Sequence, residues 1–527
     1  MMKHLLTLFL FSLLSITNAQ ATQENDVLPT ILPLLQENTV ASKQQAINTI
    51  ATSSDPRKAA YLQALLAGEL YLHPDGTLAL ITNNQALDAK TTEALQLPDT
   101  EFKKITTTNN LRSQLRKALE QLNMTDPDPK VRLQAATNLL STITPEIAQY
   151  WRQLLGTETD SKVKAALQLG LDLADLNATE KSTRLQAIQL LAGNLAPEVR
   201  KRLQPLTTDS DPDIAQAAQR SLKQINDQIK LYSYAETLFF GLSLGSVLVL
   251  AAIGLAITFG VMGVINMAHG ELMMLGAYTT YFIQQLLPNF IDYSLILAIP
   301  AAFIVSGLMG ILIERTVIRH LYGRPLETLL ATFGISLILQ QLVRTVVSPQ
   351  NVPVANPSWM SGSLEINSVL SLTYNRLYIV IFCLIVFTLL FMVLRKTNLG
   401  LQVRAVSQNR AMARAMGVRS ARVDALTFGL GSGIAGVAGV ALSQLTNVGP
   451  NLGQSYIIDS FMVVVFGGVG NLWGTLVAGL SLGVVNKLLE PWAGAVLAKI
   501  LVLIFIILFI QKRPRGLFPQ KGRAAGD

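Results

Sequence analysis

Leu238 to Thr258 reads LFFGLSLGSVLVLAAIGLAIT, an uncharged apolar run long enough to cross a bilayer as one helix. Working outward, similar segments recur at about 266–287, 293–314, 327–347, 377–394, 423–445, 457–485 and 493–511. So much apolar surface needs lipid around it, because a water-soluble domain could not cover it. Residues 22–233, by contrast, read as water-soluble. The expectation is therefore an all-α protein with a soluble helical-repeat, HEAT-like domain ahead of a polytopic transmembrane bundle. The divisions are a signal peptide at 1–21, the soluble domain at 22–233, the membrane domain at 234–511 and a basic tail at 512–527.

The chain has 527 residues, half of them hydrophobic, and a net charge of +8 that belongs to the membrane half. Its basic residues gather at Arg315/Arg319/Arg324, at Arg395 to Arg422 and at Lys512 to Arg523. Clustering between spans is the pattern of cytoplasmic loops, not of a nucleic-acid surface. At the start, Lys3 and His4 precede the apolar run Leu5 to Ile16, and Ala19-Gln20-Ala21 fits a cleavage site, so the front domain is expected outside. A chain that begins outside and ends inside crosses an odd number of times. Eight simple spans break that rule. The segment 457–485 is overlong and carries Gly467, Gly468, Gly470, Gly474, Gly479 and Gly483, so it is expected to be broken or re-entrant beside a pathway. Cys383 is the one cysteine, which excludes disulfides and cysteine metal sites.

The front domain repeats a theme. Arg132-Leu133-Gln134-Ala135 after Asp128-Pro129 and Arg184-Leu185-Gln186-Ala187 both set small and apolar residues at helical spacing. Leu70 to Leu80, turning at Asp75-Gly76, reads as a hairpin. His73 reads as a surface residue. Asp126/Asp128 and Asp209/Asp211/Asp213 lack the glycine and terminal glutamate of a calcium loop and read as helix caps. No metal site, cofactor or catalytic set emerges.

In the membrane half, Asn266-Met267-Ala268-His269-Gly270-Glu271 sets a histidine and a carboxylate beside an apolar segment, where charge is expensive. It reads either as part of a pathway or as a polar knot at a helix start. Thr328, Thr332, Ser336, Gln340 and Arg344 follow at intervals of four, a stripe suited to hydrogen bonding a small solute or a neighbouring helix. Asp459 stands at the head of an apolar run by the outer mouth. The candidate pathway residues are Asn266, His269, Glu271, Thr332, Ser336, Gln340 and Asp459; no pair of opposite charges suited to a zwitterion is evident among them. Gly241/Gly245, Gly467/Gly468 and Gly470/Gly474 read as helix-packing positions. Gly449 to Ser455 lacks the lysine and spacing of a phosphate loop, so the chain carries no nucleotide site of that kind.

Four motifs in order resemble the permeases of branched-chain amino acid ABC transporters. They are Asn266 to Glu271 with Gly276-Ala277-Tyr278, Arg404-Ala405-Val406-Ser407-Gln408-Asn409-Arg410, Gly467-Gly468-Val469-Gly470 with Gly474, and Arg513-Pro514-Arg515-Gly516-Leu517-Phe518. The exported repeat domain and the run Gly449 to Phe461 are similar to the urea branch of that class. The resemblance implies a bacterial inner-membrane, multi-pass transport subunit, not an enzyme, with a periplasmic front domain and a cytoplasmic C-terminus. It implies as partners a second homologous permease, two cytoplasmic ATPases, a periplasmic substrate-binding protein and membrane lipid, with no cofactor and no nucleic acid. The implied cargo is urea, with branched-chain amino acids or short amides as the alternative; a passive urea channel is a third reading. Arg404, Asn409, Arg410, Ala413 and Gly417 would couple to the ATPase. Here the chain departs from its class, having Ala411-Met412-Ala413 in place of Glu-Ala-Ala.

Overall fold

The computed structural model describes residues 26–82, 85–91, 94–95 and 102–518, so the expected signal peptide and the end of the tail lie outside the described residues. Two compact units meet at Asn226/Asp227, a few residues before the expected boundary at 233.

The first unit is mostly helical: α1 (Leu28–Gln36), α2 (Val40–Thr52), α3 (Lys58–Ala67), α4 (Asn109–Asn123), α5 (Pro129–Leu139), α6 (Pro145–Thr157), α7 (Ser161–Asp175), α8 (Lys181–Leu190) and α9 (Pro197–Leu206). The all-α expectation needs correction here. The Asp75-Gly76 hairpin is part of an antiparallel sheet of four strands, β1 (Leu70–Leu72), β2 (Leu78–Thr82), β3 (Gln85–Asp88) and β4 (Lys103–Lys104), in the order β3-β2-β1-β4. Residues 85–88 and 103–104 are too short and mixed to announce a strand, and the pairing of 103–104 with β1 is non-local.

The repeated Arg-Leu-Gln-Ala signature has a physical reason. Arg132 on α5 donates two bonds to Glu158, at 2.8 and 2.7 Å, and Arg184 on α8 donates to Asp209 at 2.5 Å. Each arginine ties its helix to an acid just past the following helix. The alanines beneath, Ala135 and Ala187, are buried where helices approach closely. Asp128 caps α5 and Asp209 pairs with Arg184, so these acids do structural work, and no metal-holding cluster occurs among the described residues.

Helix α10 (Pro212–Met262) runs through the unit boundary and opens the second unit. There follow α11 (His269–Leu286), α12 (Ile291–Thr316), α13 (Pro325–Val346), α14 (Tyr374–Lys396), the short α15 (Asn398–Gln408) and α16 (Arg410–Ala415), then α17 (Ser420–Ser443), α18 (Leu452–Gly467) and α19 (Leu472–Lys512), with a small hairpin of β5 (Ser363–Glu365) and β6 (Ser371–Thr373). Six helices, α10, α12, α13, α14, α17 and α19, are long and apolar enough to cross a bilayer among the described residues. The 457–485 segment is indeed two helices. Gly468 (φ +103°) and Gly470 (φ +80°) turn the chain between α18 and α19, and α19 itself kinks at Gly494, three residues after Pro491.

At the centre lie α17 and the apolar part of α10, nearly enclosed, while α14 and the last limb of α19 expose most of their apolar surface. Glycine makes the centre possible. A Cβ on Gly276 of α11 would stand 2.0 Å from the Gly436 carbonyl oxygen of α17, and one on Gly439 would be 1.9 Å from that of Met273. Gly241 and Gly245 likewise lie against the backbone of Val484 and Leu480, and Gly467 against Gly474. Backbone meets backbone at each point.

The connections sort to two ends of this unit. At one end Val352 pairs with Val448, Gln284 exchanges bonds with Ala355, and the Ser358 amide donates to Asp292. At the other, Arg410 bonds Asp424 and stacks over Tyr322, while Leu517 and Phe518 donate to the carbonyls of Phe466 and Gly467. The described residues of all three basic clusters belong to this second end.

Candidate functional site

Helix α10 ends at Met262, and residues 263–266 continue without helical structure. They fold back alongside the bundle instead of leaving it. His269, the first residue of α11, puts its Nε2 2.8 Å from the carbonyl oxygen of Ala251, about three turns or roughly 16 Å back along α10. The carbonyl can only accept, so Nε2 carries the proton and Nδ1 is left as an acceptor. Helix α11 thus begins inside the bundle. Apolar periodicity places a segment from 266 but cannot show that its first turn lies at depth.

Non-helical backbone at this depth needs partners, and the polar stripe of α13 supplies them. Thr332 Oγ1 accepts from the Met267 amide at 3.1 Å and lies 3.4 Å from the Ile265 carbonyl oxygen. One turn on, Ser336 Oγ donates to Glu271 Oε1 at 3.0 Å; another turn on, Gln340 Nε2 donates to the same oxygen at 2.7 Å. Thr328 bonds within its own neighbourhood, to Leu321 and Arg324 carbonyls. The stripe and the Asn266–Glu271 motif are therefore one structure: Asn266, His269, Glu271, Thr332, Ser336 and Gln340 are all buried together. Three buried atoms of the motif have no protein partner: Asn266 Nδ2, a donor, and His269 Nδ1 and Glu271 Oε2, acceptors. A buried polar atom without a partner costs about 1–3 kcal/mol, so these three atoms can each still take a hydrogen-bond partner.

A second helix start closes the site. Gly453, in the first turn of α18, would place a Cβ 2.1 Å from the Gly270 carbonyl oxygen, and Gly270 returns the contact on Gly453. The positive ends of two helix dipoles thus meet beside Glu271. Arg344, the last member of the stripe, reaches Asn451, the residue before α18, with Nη2 donating to Oδ1 at 2.7 Å. Arg344 thus stands one turn beyond Gln340, which holds Glu271, and bonds Asn451 instead of the carboxylate.

Asp459 does not join this group. Its carboxylate pairs with Lys499 on the last limb of α19 at 2.7 Å, a partly buried acid held by a half-exposed lysine. An acid in an apolar segment calls for such a partner, but spacing in sequence could not name it across forty residues.

At the basic end, Arg410 donates to both oxygens of Asp424, at 2.7 and 3.0 Å, and its guanidinium lies 5.1 Å from the Tyr322 ring centre. Tyr322 donates to buried Glu314 at 3.1 Å. Asn409 caps α16 through the Met412 amide, Arg404 donates to the Leu394 carbonyl, Ala413 is buried, and Gly417 (φ +88°) ends the turn. Helix α16 is consequently a rigid knob that presents Met412 and Met416, 61 % and 79 % exposed. Asp424, Tyr322 and Glu314 escaped sequence reasoning. An acid at the head of a span facing a basic loop was the available signal for Asp424.

Comparison with known proteins follows the same boundary. Residues 237–510 match the family described as "Branched-chain amino acid transport system / permease component". The high-affinity branched-chain amino acid transport system permease protein LivH of Salmonella typhimurium is 31 % identical over 293 residues, covering 54 % of this chain and 95 % of its own length. BraD of Pseudomonas aeruginosa, with the same description, is 30 % identical over 299 residues, covering 55 % and 96 %. A probable branched-chain amino acid permease of Methanocaldococcus jannaschii is 26 % identical over 286 residues, 52 % of this chain and 88 % of its own. No solved structure matches. With the family match covering the whole helical bundle and relatives aligned over nearly their full length, this chain belongs to the permease-component family of branched-chain amino acid transport systems.

Proposed function

We propose that the chain is the membrane-spanning permease subunit of an ATP-driven importer in a bacterial inner membrane, and that its cargo is a small solute with N–H donors, first of all a branched-chain amino acid. The observation that carries this reading is Glu271. One oxygen is held by Ser336 and Gln340, and the other is a buried, unpartnered acceptor. An ammonium group fits that acceptor, and the paired helix starts with Arg344 suit a carboxylate. The printed names of the relatives point the same way.

Urea is the second reading. It is favoured by the run Gly449 to Phe461 and by the neutral hydroxyl and amide groups of the stripe, which can bind an amide without opposite charges. The front domain is read as exported, where it would meet a substrate-binding protein. Counting the two limbs of α19 separately and leaving out the short α15 and α16, the described second unit has nine helical runs, an odd number that would suit a chain starting outside and ending inside. The knob at α16 would receive an ATPase at the basic end, and a second permease would complete the pathway.

Uptake of radiolabelled leucine and of urea by cells with and without the chain tests this. Saturable leucine uptake that vanishes with the chain is the expected result. In Glu271→Gln, amino-acid uptake should fall at least tenfold, since a charge-assisted bond worth about 1.5–3 kcal/mol is lost, while a neutral amide should still bind. Urea uptake that needs the chain, alongside unaffected leucine uptake, overturns the amino-acid reading and establishes the second.

A further inference from the structure

A cavity of about 420 Å³ opens at the basic end of the second unit, between the last turns of α10, the corner of α14 and α15, and the start of α19. Its chemistry is divided. Ile257, Val261, Phe391 and Trp473 make apolar walls, while Arg395, Arg404 and Ser407 gather where the helices end. Phe391 and Trp473 stand edge to face at 5.9 Å, and the Arg395 guanidinium lies 5.5 Å over the Phe391 ring. Arg404 gives one N–H to the Leu394 carbonyl, which anchors it and leaves further donors of its fork. Among the described residues no carboxylate lines the cavity.

The depth of this cavity is informative. Helix α10 ends at Met262, α14 at Lys396, and α19 starts at Leu472, so the arginines sit at the level where apolar helix gives way to polar loop. Trp473, 53 % exposed, takes the rim position that tryptophan prefers at a bilayer interface. Two arginines above apolar walls match a ligand with an anionic head and an apolar tail.

We propose that this cavity binds an anionic phospholipid, with its phosphate between Arg395 and Arg404 and an acyl chain along Phe391 and Trp473. Free phosphate shares the head chemistry but would leave the apolar walls wet, so the lipid is the better fit. The inference requires only that the chain spans a bilayer, and it holds whichever solute the bundle carries.

Tryptophan quenching tests it. The full chain is reconstituted in phosphatidylcholine vesicles with brominated phosphatidylglycerol or brominated phosphatidylcholine as the guest lipid. The Trp473→Phe variant reports the contribution of the chain's other three tryptophans. Trp473 quenching should favour the anionic guest roughly 30-fold in half-saturating fraction, since each arginine contributes on the order of 1 kcal/mol toward an anionic lipid. The double variant Arg395→Gln/Arg404→Gln should erase that preference, and Lys396→Gln, which removes a single charge outside the cavity, should keep most of it. Thiol protection of buried Cys383 verifies that each variant is folded. Equal quenching by both guests, or an anionic preference that survives the double variant, overturns the proposal. Release of the quenching by millimolar inorganic phosphate also overturns it, in favour of a free-phosphate site.

Discussion

Gly276→Ala puts the bundle's construction to a quantitative test. The added methyl would sit 2.0 Å from the Gly436 carbonyl oxygen, against about 3.4 Å for ordinary contact, so the two backbones must separate by about 1.4 Å. Helix α17 cannot simply retreat, because Gly436 is itself backed by the Ala302 carbonyl and the Ser306 side chain of α12. The shift falls on α11 and moves Glu271 out of the geometry that Ser336 and Gln340 hold at 3.0 and 2.7 Å. Overpacking and the strained charge-assisted bonds together cost about 2–5 kcal/mol, the upper range for one substitution. The chain carries its own reporter. Cys383, its one cysteine, is 1 % exposed, so a thiol-reactive dye reads unfolding during a thermal ramp. Gly334→Ala in α13, where a methyl meets nothing within 4 Å, is the control and should be neutral or stabilising by up to about 1 kcal/mol. A Gly276→Ala midpoint equal to those of the parent and the control would refute the reasoning.

Other perturbations address the remaining features. Lys499→Leu strands the partly buried carboxylate of Asp459 and should lower the same midpoint, at a cost of at most about 3 kcal/mol because the lysine is half exposed; Asp459→Leu/Lys499→Leu should restore it. Arg410→Lys keeps the charge but cannot hold both oxygens of Asp424 and stack on Tyr322, so α16 should loosen and trypsin should cut at Arg414 and Arg419 severalfold faster. Unchanged cutting rates would count against the knob's rigidity. In the front unit, the hydrogen bonds from Arg132 hold the Glu158 carboxyl down at about 2, below its ordinary 4.5. A folded value below the unfolded one means the pair stabilises fully above pH 4.5 and is lost as the pH falls from there to about 2. Melts followed by circular dichroism should therefore decline across that window, and more shallowly in Glu158→Gln.

Some of this architecture is legible in the chain because a single periodic rule governs it. The spacing by four from Thr328 to Arg344 reads directly as one face of a helix, and that face holds the site. The overlong 457–485 segment breaks at its glycines, because Gly468 and Gly470 adopt positive φ that other residues resist. What stayed hidden depends on depth and on partners distant in sequence. Asn266 to Glu271 could be read as a polar knot or a pathway, but nothing local shows that His269 returns to Ala251. The meeting of Gly270 with Gly453 joins residues far apart, and so does Asp459 with Lys499. The strand at Lys103–Lys104 exists only because β1 offers it an edge.

The meeting of the first turns of α11 and α18 has a consequence for the whole cell. Each helix start carries about half a positive charge, so the two together balance one ionised carboxylate at Glu271. The polar heart of the bundle is then close to electroneutral, so a solute that carries both signs of charge, or neither, fits there better than a lone ion. A bacterium stores its working energy as ion gradients across the same bilayer. A polar heart that favours no lone ion spares those gradients.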